Sequence, residues 1–208
     1  MGAKQRIALY GGTFDPIHLG HLEIARKVLE LFEIEKVLFV PAQVAPHKVG
    51  RSVTEPIHRY AMLALATQHD PQLSISTFEL DAPDRRYTVD TIAHFQKSFG
   101  DETELFFIMG ADSWSEIQTW REWERLLTMV NHIVVTRPGY EVATAPPEVA
   151  ARVLFTDAVM NSASATGIRR LAREGRMDEL AGLVPEPVAE YIRKYEIYRD
   201  TNERKLNS

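Results

Sequence analysis

The sequence predicts an α/β protein with a doubly wound, mostly parallel sheet, and three observations carry that prediction. Short apolar runs alternate with amphipathic segments along the whole chain, the first run leads straight into Gly11-Gly12, and no internal repeat or low-complexity linker interrupts the pattern. Such alternation builds βαβ units, whose strands lie parallel with helices on both faces. The chain has 208 residues and reads as one domain, 1–208, with 164–195 as its C-terminal helical part. That length encloses a substantial apolar core.

Residues 6–10 form the first strand, closed by Gly11-Gly12. Residues 20–32 follow as a helix with Leu22, Ala25, Leu29 and Phe32 on one stripe. Residues 37–40 are a second buried strand, stopped by Pro41, and the mixed polar and basic loop AQVAPHKVGRS comes next. Pro56 stands where a helix begins, and Tyr60, Met62, Leu63, Leu65 and Ala66 continue it. Alternation over 73–80 predicts a strand before the charged loop DAPDRR. Thr88 or Asp90 starts the helix that carries Ile92 and Phe95, and 105–109 is an apolar strand ending at Gly110. Two short helical pieces fall within 112–128, around Trp114, Trp120 and Trp123, and 132–136 and 152–155 are the last strands. From 164 to 195 the chain reads as helix in pieces, broken at Gly175, Pro185 and Pro187, and TNERKLNS reads as a frayed tail.

Composition narrows the chemistry. Apolar residues make up 45% and charged residues 25%, the balance of an ordinary globular protein. Cysteine is absent, which excludes disulfides, thiolate metal sites, iron–sulfur ligation and a cysteine nucleophile. No apolar stretch has signal-peptide or membrane-spanning length, and Arg6 stands where a myristoylation signal wants a hydroxyl, so a cytoplasmic protein without membrane partners is expected. The net charge of −5 argues against general nucleic-acid binding. Charge is uneven, with eight Lys/Arg against six Asp/Glu in residues 1–60 and two against seven in 101–130, so a local basic pocket can hold phosphates in an acidic protein. Homo-oligomerisation is left open.

The densest chemistry lies in GGTFDPIHLGH. Adjacent glycines after a strand let the backbone approach a ligand, and a strand, turn and helix N-terminus in sequence form an anion site. Gly11, Gly12, Thr13 and Phe14 are the candidate phosphate-binding turn. His18 and His21 flank Gly20, and their spacing puts both rings on one side of a first helical turn. Imidazoles suit a phosphate site as donors that charge near neutral pH, although a turn histidine and a helix cap, or a metal pair, also fit those two residues alone. GxGxxG and GxxxxGK[ST] are both absent, which argues against a hydride-transferring dinucleotide enzyme and a P-loop.

GGTFDPIHLGH resembles the signature of the HxGH nucleotidylyltransferase superfamily, and in particular of bacterial nicotinate-nucleotide adenylyltransferases. The resemblance extends over nearly all of the chain and implies a Rossmann-like sheet of nucleotidylyltransferase type. It makes His18 and His21 catalytic, contacting ATP phosphates and stabilising transition-state charge, with Asp15 shaping the loop. PAQVAPHK resembles the loop after the second strand, where His47 and Lys48 sit near phosphates. RRYTVDT resembles SYTVDT, a segment that holds the nicotinate nucleotide through Tyr87 and Thr88, with Arg86 replacing the serine. FFIMGADSWSEIQTW resembles the segment from IxGxD to Trp, which places Gly110 and Asp112 by the nicotinate nucleotide and stacks Trp120 on its pyridine ring; Arg121 stands where some relatives have tyrosine. Trp114 and Trp123 read as core. Arg137 in VVTRPG matches a family arginine, and SASATGIRR resembles ISSTxIR, which gives Ser164, Thr166 and Arg169 to the ATP phosphates, with Ala163 and Ala165 as departures.

The implied reaction is in-line displacement. A phosphate oxygen of nicotinate mononucleotide attacks the α-phosphorus of ATP and pyrophosphate leaves, giving the deamido form of NAD, with Mg²⁺ entering on ATP and no resident metal ligands. Other acceptors, nicotinamide mononucleotide or phosphopantetheine, and a silent nucleotide-binding regulator are the alternatives. The acid-or-amide choice turns on a single hydrogen-bonding group.

Overall fold

The computed structural model describes residues 4–43, 53–82, 86–136, 145–157 and 163–199. Its strands are β1 (Gln5–Gly12), β2 (Lys36–Pro41), β3 (Leu73–Ile75), β4 (Thr103–Gly110), β5 (Asn131–Val135) and β6 (Val153–Thr156). All these strands pair in parallel, and the order across the sheet is β3-β2-β1-β4-β5-β6. The chain therefore grows to one side of β1, returns, and grows to the other. The carboxyl ends of β1 and β4 diverge at that reversal, where doubly wound sheets bind ligands.

Among the described residues, seven α-helices cover the two faces: α1 (Leu19–Leu31), α2 (Pro56–Thr67), α3 (Thr88–Phe99), α4 (Ala111–Ser115), α5 (Trp123–Met129), α6 (Ala165–Arg173) and α7 (Glu186–Lys194). Successive strand residues point to opposite faces, so each strand feeds two cores. Ala8, Tyr10, Phe39, Phe106 and Ile108 join α1, α2, α6 and α7 on one face. Leu9, Val40, Phe107 and Met109 join α3, α4 and α5 on the other. The C-terminal pair α6 and α7 closes the first core through Ile168, Leu171, Val188 and Ile192.

Three local details differ from the sequence expectation. Gly11 and Gly12 remain in β1, paired with Val40 and Pro41, and the turn is made by Phe14 at φ +49°. The buried Phe14 ring, edge-on to Tyr10 and Phe39, holds that left-handed backbone in place. The strand expected over 73–80 stops at Ile75, because the Ser76 hydroxyl accepts from the Phe78 N–H and turns the chain. Pro187 begins α7 rather than breaking it, since a helix's first turn has no use for that N–H. The last two strands, Asn131–Val135 and Val153–Thr156, each fall within a residue of expectation. Among the described residues no helix is long and apolar enough to cross a membrane. The tail 201–208 lies outside the described residues.

Candidate active site

Two cavities, each about 410 Å³, open at the carboxyl ends of β1 and β4, within the size range of small-molecule sites. They lie on opposite sides of the β1 end, because Tyr10 faces one and Leu9 and Gly11 face the other.

The first cavity belongs to the histidines. His18 is the N-cap of α1 and His21 is its third residue, which brings the rings into a stack with centroids 3.7 Å apart. The His18 backbone N–H donates to His21 Nδ1 at 3.3 Å. Neutral His21 therefore carries its proton on Nε2, free of the helix's own bonding. His18 Nδ1 is buried without a hydrogen-bond partner. Gly20 permits this arrangement, because a Cβ there would stand 3.2 Å from the His18 ring. Burial pulls His18 down to about 4, and burial together with His18 holds His21 well below its ordinary value. Both rings are thus neutral donors near pH 7 in the ligand-free protein, where the sequence suggested charge. Met109, Gly110 and Asp112 close one side of the cavity, and Ala163, Ser164 and Ala165 the other. The Ser164 hydroxyl accepts from the Gly167 N–H at 3.1 Å and caps α6, so the amino ends of α1 and α6 converge here.

The second cavity is lined by Gly11, Gly12, Thr13, Tyr87, Thr88, Phe107 and Trp120, with Glu79, Arg86 and Arg121 as its charged side chains. Trp120 packs edge-on to Phe107, and its buried Nε1 has no hydrogen-bond partner. Thr91 donates to Glu79 at 2.7 Å, while burial raises the Glu79 carboxyl and Arg86 opposes that rise. A Cβ on Gly12 would meet the Phe14 ring at 2.8 Å, so the strand end can lie this close to its own turn only as glycine.

Buried polar side chains hold the segment between the cavities. Arg59 is fully buried in α2 and donates from Nε to the Thr54 carbonyl (2.9 Å), from Nη1 to those of Thr13 (2.9 Å) and Ala42 (2.6 Å), and from Nη2 to that of Gln43 (3.1 Å). Asp15, 4% exposed, accepts from Tyr198 Oη at 2.8 Å and from the Thr54 N–H at 3.2 Å. The Asp15 carbonyl accepts from Arg169 at 2.6 Å. Burial and the Asp15 carboxylate push the Tyr198 phenol upward.

Of the residues singled out in the sequence, His18, His21, Gly110, Asp112 and Ser164 meet in the first cavity. Gly11, Gly12, Thr13, Tyr87, Thr88 and Trp120 meet in the second. Gly110 and Asp112, expected beside Trp120, stand instead with the histidines, because β4 runs to Gly110 and the first turn of α4 folds back on that side. Phe14, Thr166 and Arg169 line neither cavity. Phe14 is core, and Arg169 holds the Thr166 hydroxyl at 3.2 Å and the loop carbonyl of Asp15. His47, Lys48 and Arg137 lie outside the described residues. Sequence reasoning missed Arg59 and Glu79. A charged residue on the Met62–Leu63 face of α2 was the available signal for Arg59; Glu79 had none. Among the described residues no group of three or more His, Cys, Asp or Glu side chains is placed to hold a metal ion.

The model of the cytidylyltransferase-like family matches residues 9–171. A probable nicotinate-nucleotide adenylyltransferase of Thermoanaerobacter sp. (strain X514) is 42% identical, over 98% of this chain and 99% of its own. A protein of the same description from Thermus thermophilus is 44% identical, over 93% of this chain and all of its own. Among solved structures, Plasmodium falciparum nicotinic acid mononucleotide adenylyltransferase complexed with NaAD superposes with a TM-score of 0.78 over 93% of this chain and 97% of that one, at 19% identity. That likeness is one of fold.

Proposed function

The chain belongs to the nicotinate-nucleotide adenylyltransferases of the cytidylyltransferase-like family, and from that premise we propose how its two cavities divide the reaction. The protein transfers the adenylyl group of ATP to nicotinate mononucleotide, releasing pyrophosphate. Carrying this assignment is the pair of cavities that flank the carboxyl ends of β1 and β4, one built around stacked histidines and the other around an aromatic wall.

ATP occupies the histidine cavity. Its triphosphate faces the amino ends of α1 and α6, where backbone amides and the Ser164 hydroxyl supply donors and, among the described residues, Asp112 is the one acidic side chain of the lining. Gly110 and Asp112 consequently serve the adenylyl donor, with Asp112 accepting from ribose hydroxyls. The mononucleotide occupies the second cavity, its pyridine ring against Trp120 and its phosphate near Gly12 and Thr13. The attacking phosphate is already ionised, so no general base is required. Catalysis comes from alignment and from donors aimed at the charge that builds on the α-phosphate and the leaving pyrophosphate. His18 and His21 are those donors. As the polyphosphate displaces water, its charge also favours their protonated forms. Phe14 keeps the His21 ring in place, at 5.1 Å and near-perpendicular. Arg169 and Thr166 brace the loop, while Lys48 and Arg137 complete the phosphate contacts. Mg²⁺ arrives as part of the ATP substrate. Residues 164–195 belong with the rest as one domain, and metabolite substrates suit a cytoplasmic enzyme.

Pyrophosphate release, measured with ATP plus nicotinate mononucleotide, nicotinamide mononucleotide or phosphopantetheine in turn, tests this assignment. Turnover is expected with the nicotinate compound. ATP binding without release for any acceptor would instead favour a silent nucleotide-binding protein.

A further inference from the structure

Resting on the assignment of the Trp120 cavity to the pyridine mononucleotide, we propose that Arg121 selects a pyridine carboxylate over a carboxamide. Among the described residues, the cavity's charged side chains are Glu79, Arg86 and Arg121. Arg86 lies over the Phe78 ring at 4.3 Å, on the Glu79 side of the cavity, and its charge opposes the upward push of burial on that carboxyl. Arg121 is in a different position. Its guanidinium rests on the face of Tyr87, 4.7 Å from the ring centroid, and among the described residues its N–H groups make no hydrogen bond. Among the described residues its ion pair is with Glu122, 3.7 Å away, a carboxylate that holds Arg125 more closely, at 2.8 Å.

A forked donor is therefore held at the cavity rim by one aromatic ring and tethered by its backbone to the next, Trp120. A planar guanidinium bonds a carboxylate through two parallel N–H groups, whereas a carboxamide offers one acceptor and no charge. A ring stacked on Trp120 brings its substituent to a rim where the Arg121 fork has N–H groups to give. A carboxylate takes two of them and adds a charge closer than that of Glu122. A carboxamide does neither, which is how a site built for one polar group rejects its near-isostere.

The test compares kcat/KM for ATP with nicotinate and with nicotinamide mononucleotide in the wild type, Arg121→Met, Arg121→Lys and Arg86→Met. The Arg121 side chain is 56% exposed, so its replacement leaves the fold intact, and the thermal midpoint verifies this. In Arg121→Met the acid substrate should lose on the order of 10- to 100-fold in kcat/KM, mainly through KM, with the amide substrate nearly unchanged. Arg121→Lys should fall between, since it retains charge without the fork. Equal losses on both substrates, or an unchanged ratio, would overturn the role of Arg121, as would an equal shift of the ratio in Arg86→Met. A wild type that turns over neither mononucleotide would overturn the assigned reaction, and this inference with it.

Discussion

His18 and His21 stack ring on ring, with planes 26° from parallel, and the backbone N–H of the first donates to the second. The contact couples them: a proton on one ring disfavours a proton on the other, which with burial leaves two neutral donors side by side. Each donor should be worth what one preorganised transition-state donor is worth elsewhere. We expect His18→Ala or His21→Ala to lower kcat on the order of 10²- to 10³-fold with little change in thermal midpoint. Near-normal turnover in both variants, measured by pyrophosphate release, would remove the pair from the mechanism.

Gly20 offers a gentler probe of the same geometry. A Cβ at 3.2 Å from His18 Cε1 and Nδ1 obliges the ring to yield a few tenths of an ångström, while alanine favours the helix itself. Gly20→Ala should therefore leave stability within about 1 kcal/mol of wild type and still reduce kcat several-fold. Unchanged kcat would show that His18 tolerates displacement and that its placement by Gly20 is incidental.

Acid should destabilise the protein through its buried histidines. His132 is fully buried, with Nε2 donating to the Leu126 carbonyl at 3.2 Å, and burial pulls it, like His18, down to about 4. The unfolded chain binds protons near pH 6.5, where the folded chain does not. Stability is therefore whole above that value and is lost as pH falls toward the folded one. For His132 alone the loss is on the order of 2 kcal/mol by about pH 5. Urea midpoints at about pH 7 and about pH 5 should show this slope, and His132→Leu should flatten it. An identical slope in the variant would exclude His132 as a contributor.

The parallel α/β class and the histidine pair were legible because both rest on local pattern: the apolar runs alternate with helices, and HLGH needs only one helical turn to bring its rings together. Contacts that depend on where distant segments land were not. Ser76 ends β3 with its own hydroxyl, against an alternation that continues through Leu80. Gly110 and Asp112 share a motif with Trp120, yet the turn from β4 into α4 sends them to the other cavity. Tyr198 reaches Asp15 across 183 residues, and no periodicity encodes that bond.

Arg59 should be the least replaceable of the residues that the sequence left unmarked. Its donors serve four carbonyls, on the loops before α2, after β1 and after β2, and Asp15 supports its charge. Arg59→Met removes every one of those donors while approximating the volume. A loss on the order of 3–5 kcal/mol is expected, the range for orphaned buried polar groups. Denaturant unfolding measures it, and a loss below about 1 kcal/mol would mean that water takes over the carbonyls.

Tyr198 joins the end of the described chain to the turn that carries the histidines. Its Oη–H donates to a carboxylate that also accepts from Thr54, and the same turn accepts from Arg169. Tyr198→Phe deletes one bond to a charged acceptor and nothing else in volume, which should cost about 1.5–3 kcal/mol and lower the thermal midpoint by several degrees. Asp15 lies three residues before His18, so a slackened turn also spreads the His18 ring over more positions. Well below the midpoint, kcat should consequently fall a few-fold with KM for the mononucleotide little changed. A lower midpoint with intact kcat would make Tyr198 an anchor for the segment after α7 alone. A double-mutant cycle with Asp15→Asn distinguishes the two outcomes at the level of the bond. Coupling of at least about 1 kcal/mol in stability, repeated in kcat, ties Tyr198 to catalysis through Asp15, whereas additive effects would show that each residue acts by a separate route.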